Sequence, residues 1–238
     1  MNEGTKASSA FMLRFHFERT GRLRFTSHLD MLRAFQRAFM RAHISIAYSQ
    51  GFNPHPEFVI GMPLGVGTTS EAEYADLGMN IEMPTTDFIA ALNTNLPEGL
   101  RVISAAYKHN KDNIMGKVDE LRCLIKFETE FQKGVLEEAL GRMLAKREIF
   151  VEKTTKKGKS IVEIRSKIRH AQVLADGIVA LYCDAGSHSN LSPDLFVTAL
   201  LQEAGVGSDL GYVTVHRTAV LIEKDGELVN PMDEKALN

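Results

Sequence analysis

Two histidines and a line of arginines have the types and spacing that could do chemistry in this sequence. His28 follows Ser27 at a helix start, where free backbone N–H groups favour an anion. A histidine there can contact a phosphate or give up a proton; the plainer alternative is a ring packed against the neighbouring loop. Arg33, Arg37 and Arg41 recur every four residues. On a helix they form a line with about 6 Å per step, close to the phosphate spacing of a nucleic-acid strand. Arg22 and Arg24 lie just before them. The guanidinium fork suits phosphate because it donates two hydrogen bonds at once. The plain alternative is a solvated helix face. Asp30 is the one acid on this segment, so the arginines lack i,i+4 partners.

The segment Tyr48-Ser49-Gln50-Gly51-Phe52-Asn53-Pro54-His55-Pro56 is the most unusual. Its prolines rule out a helix or a central strand and hold His55 between them. Rigid presentation of a polar side chain suits a site, because little entropy is lost on binding. Asn53 offers both donors and an acceptor, and Tyr48 and Phe52 can stack on a base. The alternative is a structural corner in which Asn53 starts a turn. His28 and His55 together would suffice for metal-independent RNA cleavage as an acid–base pair.

Other polar clusters carry less. His16, His28, His43 and His55 show no paired ligand spacing, so no metal site is expected. Glu71 and Glu73 share one face of a strand and Asp76 takes the other. The expectation there is a solvated strand edge or a salt bridge to the basic helix. Gly61–Gly67 matches neither phosphate-loop motif. The two cysteines, Cys123 and Cys183, are far apart and sit in apolar runs; they read as buried free thiols. Without a CxxC pair or a three-cysteine cluster the two cannot by themselves make a zinc site or a thiolate iron–sulfur cluster, and no cofactor is expected.

The elements that must position these residues follow from periodicity. Met12–Phe17 reads as a strand that Leu23–Phe25 continues or pairs with. His28–Ala42 reads as a helix capped by Ser27, with Leu29, Leu32, Phe35 and Phe39 on its apolar face. Phe58–Ile60 and Ala72–Leu77 read as strands, a helix follows from Thr85 or Thr86 to Leu96, and Leu100–Tyr107 is a strand. That is the β-α-β-β-α-β order of a ferredoxin-like unit. After a polar stretch, Leu121–Phe127, a helix over Gly134–Ala145, strands at Ile149–Lys153 and Ile161–Arg165 around a lysine-rich turn, Ile178–Cys183, a helix opened by Ser192-Pro193, and Tyr212–Ile222 repeat that style. The fold expectation is α+β, with two packed ferredoxin-like units and antiparallel sheets. The expected divisions are a disordered N-terminus over 1–10, a first unit over 11–108, a linker over 109–118, a second unit over 119–230 and a tail over 231–238.

The bulk properties fit this. The chain has 238 residues, 44% hydrophobic and 24% charged, with a net charge of −2. The balance hides local patches: Phe11–Pro56 carries seven arginines against two acids, and Lys146–His170 carries nine Lys and Arg against three Glu. Nothing in the sequence reaches the roughly 20 apolar residues of a membrane span, so a cytoplasmic protein without membrane contact is expected.

Three stretches, Gly21–Asp30, Tyr48–Pro56 and Gly65–Asp76, together resemble the signature of the radical-SAM-linked protein family, a domain family of unknown function. Val215-His216-Arg217-Thr218 is a weaker match, and Thr69 stands where that family often has Glu. The resemblance implies a radical SAM protein as partner and supplies no substrate. The expected function is an accessory binding protein that takes RNA or a phosphate-bearing ligand. Its site residues would be Arg22, Arg24, His28, Arg33, Arg37, Arg41, Tyr48, Phe52, Asn53 and His55. Two alternatives stand beside it: an RNA-processing enzyme using His28 and His55, and a pure docking module for the radical SAM partner.

Overall fold

The computed structural model describes residues 10–110, 112–128, 131–132, 134–155, 158–174, 177–206 and 212–238. The expected lead-in, residues 1–9, and the Lys156-Lys157 turn lie outside them. The fold is α+β and dominated by antiparallel strand pairs. The chain divides into two compact units, one made of residues 1–118 and 220–238, the other of residues 119–219.

The first unit runs β1 (Phe11–Arg19), α1 (His28–Arg41), β2 (Phe58–Ile60), β3 (Thr68–Met79), α2 (Thr85–Asn95) and β4 (Leu100–Lys108). Its strands lie in the order β4-β1-β3-β2, each neighbouring pair antiparallel. This is the strand order of a ferredoxin-like sheet. Leu23–Phe25 does not extend β1: Gly21 has a positive φ of 58° and turns the chain into a 3-10 turn over Gly21–Phe25.

One face of this sheet is an aromatic core. Phe15 and Phe17 of β1, Phe35 and Phe39 of α1, Phe58 of β2 and Phe88 of α2 are all buried. Phe17 meets Phe35 edge-on at 4.9 Å between centroids, and Phe39 meets Phe58 edge-on at 5.2 Å. The buried residues of α1 are Met31, Phe35, Ala38 and Phe39. Leu29, expected on this face, is instead 60% exposed. The face that meets the sheet is centred on Phe35, and Leu29 in the first turn lies about 120° round the helix from it at 100° per residue.

The other face is closed by charge. Arg14 of β1 sits opposite Asp76 of β3 in register. Asp76 accepts from Arg14 Nε at 2.7 Å and Nη2 at 3.0 Å, from Lys108 Nζ at 3.1 Å and from the backbone N–H of Ile114 at 3.2 Å. Arg14 Nη1 donates to the carbonyl of Pro231 at 3.1 Å, and Lys108 also donates to the carbonyl of Asp112. Arg14, Asp76 and Lys108 are all buried. The expected solvated acidic edge is therefore wrong: Glu73 and Asp76 are buried, and of the three acids only Glu71 is exposed. Ala72 through Met79 are buried on both faces, which an alternation of polar and small residues does not announce.

The residues read as linker and tail are part of this unit. Ile114, in a 3-10 turn over Ile114–Gly116, has no exposed surface, and a side chain at Gly61 would collide with it. The C-terminal segment forms a short helix, α5 (Glu234–Leu237), whose residue Ala236 is buried. The carbonyl of Leu237 accepts from the N–H of His109, and that of Ala236 from Asn110 Nδ2. These stretches read as tails because their anchoring groups are backbone carbonyls, which carry no sequence signal.

The second unit runs β5 (Val118–Phe127), α3 (Val135–Ala145), β6 (Phe150–Thr155), β7 (Gly158–Glu163), β8 (Ile168–Val173), β9 (Ile178–Asp184), α4 (Pro193–Glu203) and the first part of β10 (Val213–Lys224). The end of β10, with β11 (Glu227–Val229) paired to it and α5 (Glu234–Leu237) after it, belongs to the first unit. The order β10-β5-β9-β8 repeats the ferredoxin-like pattern. Strand β8, unexpected from sequence, supplies its edge. Among the described residues it pairs only with β9, and its solvent side reads Arg169, His170 and Gln172. The two strands expected around the lysine-rich turn form a separate hairpin, β6-β7, inserted between α3 and β8. Cys123 and Cys183 are free and buried, and burial pushes the Cys123 thiol up to about 12, so both are inert at neutral pH.

Removing the Asp76 carboxylate leaves Arg14 and Lys108 buried without their counter-charge. Asp76→Ala is expected to lower the unfolding free energy by about 3–5 kcal/mol. Arg37→Ala, at an exposed position, is expected to stay within about 0.5 kcal/mol. Urea unfolding of the two variants against wild type checks both values.

Candidate functional site

All ten expected site residues lie in the first unit, on one continuous stretch from the 3-10 turn through α1 to the loop before β2. The stretch begins at a well-formed helix start. Ser27 Oγ accepts from the N–H of Asp30 at 3.2 Å and donates to its carboxylate at 2.7 Å. Beneath that start lies Arg19, which has no exposed surface. It donates to the carbonyls of Thr26, Gly65 and Thr68, at 3.2, 2.6 and 2.7 Å. This guanidinium staples the segment before α1 to the glycine-rich loop before β3, and the N–H of Gly67 closes the same junction on the carbonyl of Arg24 at 2.6 Å. Gly61–Gly67 thus has a structural role that its sequence did not specify.

His28 is the first residue of α1. Its Nδ1 is covered and has no hydrogen-bond partner among the described residues. Burial, and then the charge of Arg19, hold its pKa below the usual histidine value. The neutral imidazole is therefore favoured at neutral pH. His55 sits exposed in its loop, and no hydrogen bond or ion pair among the described residues joins it to His28. The two histidines are not brought together as a hydrogen-bonded pair.

The seven arginines of Phe11–Pro56 divide by task. Arg14 and Arg19 are buried and hold the fold. Arg41 donates to the carbonyl of Asn95, the last residue of α2, where a cation is favoured by the helix dipole. The guanidinium of Arg24 lies 4.9 Å from the centre of the Phe25 ring. Arg33 reaches Asp30 at 3.3 Å, both largely exposed, a pair of little strength. Arg22 and Arg37 are exposed and carry no side-chain partner among the described residues. Three arginines, 22, 33 and 37, remain open to a ligand.

The exposed side of α1 is not simply polar. Leu29 is 60% and Met40 61% exposed, and the two arginines Arg33 and Arg37 stand between them. Met40 leads to His43, whose positive φ of 52° ends the helix, with the N–H of Ile44 returning to the carbonyl of Phe39 at 3.1 Å. The chain then pairs Ile46 with Met79 and Tyr48 with Pro56. Within the loop, the N–H of Ser49 donates to the carbonyl of His55 at 2.8 Å, and the N–H of His55 to Ser49 Oγ at 2.9 Å. The loop is thereby closed at its base. At its tip Phe52 is exposed to 107% of the reference value, with Asn53, Pro54 and His55 also exposed and Tyr48 at 44%. Sequence reasoning missed Arg19, Leu29 and Met40. One signal was available: from residue 11 to residue 56 every basic side chain other than histidine is arginine, with no lysine. Arginine, methionine and aromatics over lysine is the composition of an interface rather than of a solvated face.

A model for a family of uncharacterised proteins conserved in bacteria, DUF2344, matches residues 12–193. The chain belongs to that family. The match spans the site segment and most of the second unit. No curated protein matches the chain. Among solved structures it is similar to a chain of a Cbf5–Nop10–Gar1 complex, at 8% identity and a TM-score of 0.43, covering 87% of this chain and 49% of that one. A second is from an H/ACA RNP bound to a substrate RNA containing 2'-deoxyuridine, at 9% identity and a TM-score of 0.38, covering 92% and 49%. The chain spans about half the length of both. Likeness of this order is no guide to function. No helix among the described residues is long and apolar enough to cross a membrane.

The lowered pKa of His28 has a defined consequence. A depressed folded-state value adds stability that is present above the unfolded value of about 6.5 and is lost as pH falls below it. Thermal unfolding of wild type is expected to weaken between about pH 7 and pH 5, and His28→Gln to remove part of that loss. An NMR titration of the His28 ring is expected to give a midpoint below the ordinary histidine value of about 6.5.

Proposed function

We propose that this protein is a binding module that takes single-stranded RNA on the exposed side of α1 and the Tyr48–Pro56 loop. The observation that carries the reading is Phe52, an aromatic ring wholly in solvent at the tip of a loop closed by two hydrogen bonds. A free Phe side chain forgoes about 2 kcal/mol of burial, so a surface that presents one rigidly is built to have it covered. Arg22, Arg33 and Arg37 supply phosphate donors, and Tyr48 and Phe52 supply stacking faces. That pairing of open arginines and open rings is what a sequence-tolerant single-strand site requires.

The resemblance to radical-SAM-linked proteins implies a radical SAM partner; any radical chemistry would then be the partner's, and the RNA would be that partner's substrate or guide. Leu29 and Met40 favour a second reading, in which the same side of α1 docks the radical SAM protein directly. The enzymatic reading with His28 and His55 has no comparable support, since one imidazole is covered and the two are not hydrogen-bonded.

Filter-binding titration against a single-stranded RNA at two salt concentrations separates the readings. The expected result is binding that weakens steeply with salt. It should be lost in Arg33→Glu/Arg37→Glu and reduced about 5- to 100-fold in Phe52→Ala, the range of one lost base stack. Tight association with a radical SAM protein that survives nuclease treatment, without RNA binding, would select the docking reading instead.

A further inference from the structure

The hairpin β6-β7 is an addition to the ferredoxin-like plan, which needs α3 to lead directly into β8. Every residue from Glu152 to Thr155 and from Gly158 to Ile161 is exposed, and only Val151 at the base is buried. A two-stranded ribbon in water is marginal without support. Here the support is concentrated below the ribbon. The Glu163 carboxylate accepts from the backbone N–H groups of Ile149, Arg165 and Ser166 and from the Ser166 hydroxyl, tying the two feet together. Arg165 Nε donates to the carbonyl of Leu144 at 3.1 Å, fixing those feet to the end of α3. The base is built to hold the ribbon's direction.

The sequence of the ribbon is positive. Residues 150–163 hold Lys153 and Lys159, with Lys156 and Lys157 outside the described residues, against Glu152 and Glu163, a net charge of +4 − 2 = +2. Glu163 is spent on the base, and Glu152 pairs with Lys159 at 2.8 Å. In the register Lys153 opposes Ser160 and Lys159 opposes Thr154. Lys153 and Lys159 therefore project from opposite faces of the ribbon. Lysines on both faces can meet phosphates on either side of a strand laid along it, and side chains this long keep their ammonium groups in water until they do.

We infer that the β6-β7 hairpin is an arm that grips the phosphate backbone of RNA. Its contribution is sequence-independent affinity, and it rests on the RNA reading of the first unit's site.

The test is a salt titration of binding to a single-stranded RNA of about 30 nucleotides, longer than one OB-fold-sized site, with wild type, Lys153→Gln/Lys159→Gln and Lys153→Arg/Lys159→Arg. The glutamine pair is expected to bind more weakly, with a slope of log K against log salt shallower by about 0.7 per lost phosphate contact, or about 1.4 for both. The arginine pair should restore the wild-type slope. Retention of the wild-type melting temperature by the glutamine pair excludes unfolding as the cause. An unchanged slope in the glutamine pair, with wild-type binding intact, overturns the arm and leaves the first-unit site standing. A wild-type chain that takes up no RNA at low salt overturns both.

Discussion

The Asp76 carboxylate is the interaction on which the first unit depends. It receives donors from β1, β4 and the turn after β4, and through Arg14 it reaches the carbonyl of Pro231. Burying two cations with one anion is costly unless every lone pair and proton finds a partner. Here backbone carbonyls supply what the single carboxylate cannot. The result is a sheet with an aromatic core on one face and a fully bonded polar knot on the other. That sheet is what gives α1 a fixed bed, and α1 carries the surface proposed to bind.

A second buried guanidinium does the same work at the site itself. Arg19 bonds three carbonyls and so sets where α1 begins relative to the loop before β3. Its charge also depresses the pKa of His28. Stability and site electrostatics are thus linked through one side chain.

Much of this was legible in the sequence where a local rule decides. The Ser27 cap, the 3.6-residue spacing of α1, the prolines of the 48–56 loop and the β-α-β-β-α-β order of the first unit follow from capping, periodicity and turn chemistry, and the structure has them. Failures come where long-range pairing decides. Asp76 looked like a solvated acid because its partners are 62 and 32 residues away. Strand β8 escaped notice because an edge strand with Arg169, His170 and Gln172 outward has no apolar alternation to show. Residues 109–118 and 231–238 read as linker and tail because they are held by backbone groups that are the same for every residue type. Within the site, residue types were legible but their employment was not: Arg41 holds a helix end, while Leu29, expected on the apolar face of α1, faces solvent.

The central claim is that α1 and the Tyr48–Pro56 loop meet RNA through stacked rings and arginines. Ultraviolet crosslinking of the full chain to a single-stranded RNA, followed by mass-spectrometric identification of the modified residues, addresses it most directly. The account predicts nucleotide adducts on Phe52 and Tyr48. Adducts confined to other parts of the chain, with these two rings unmodified in a complex that forms, would contradict it.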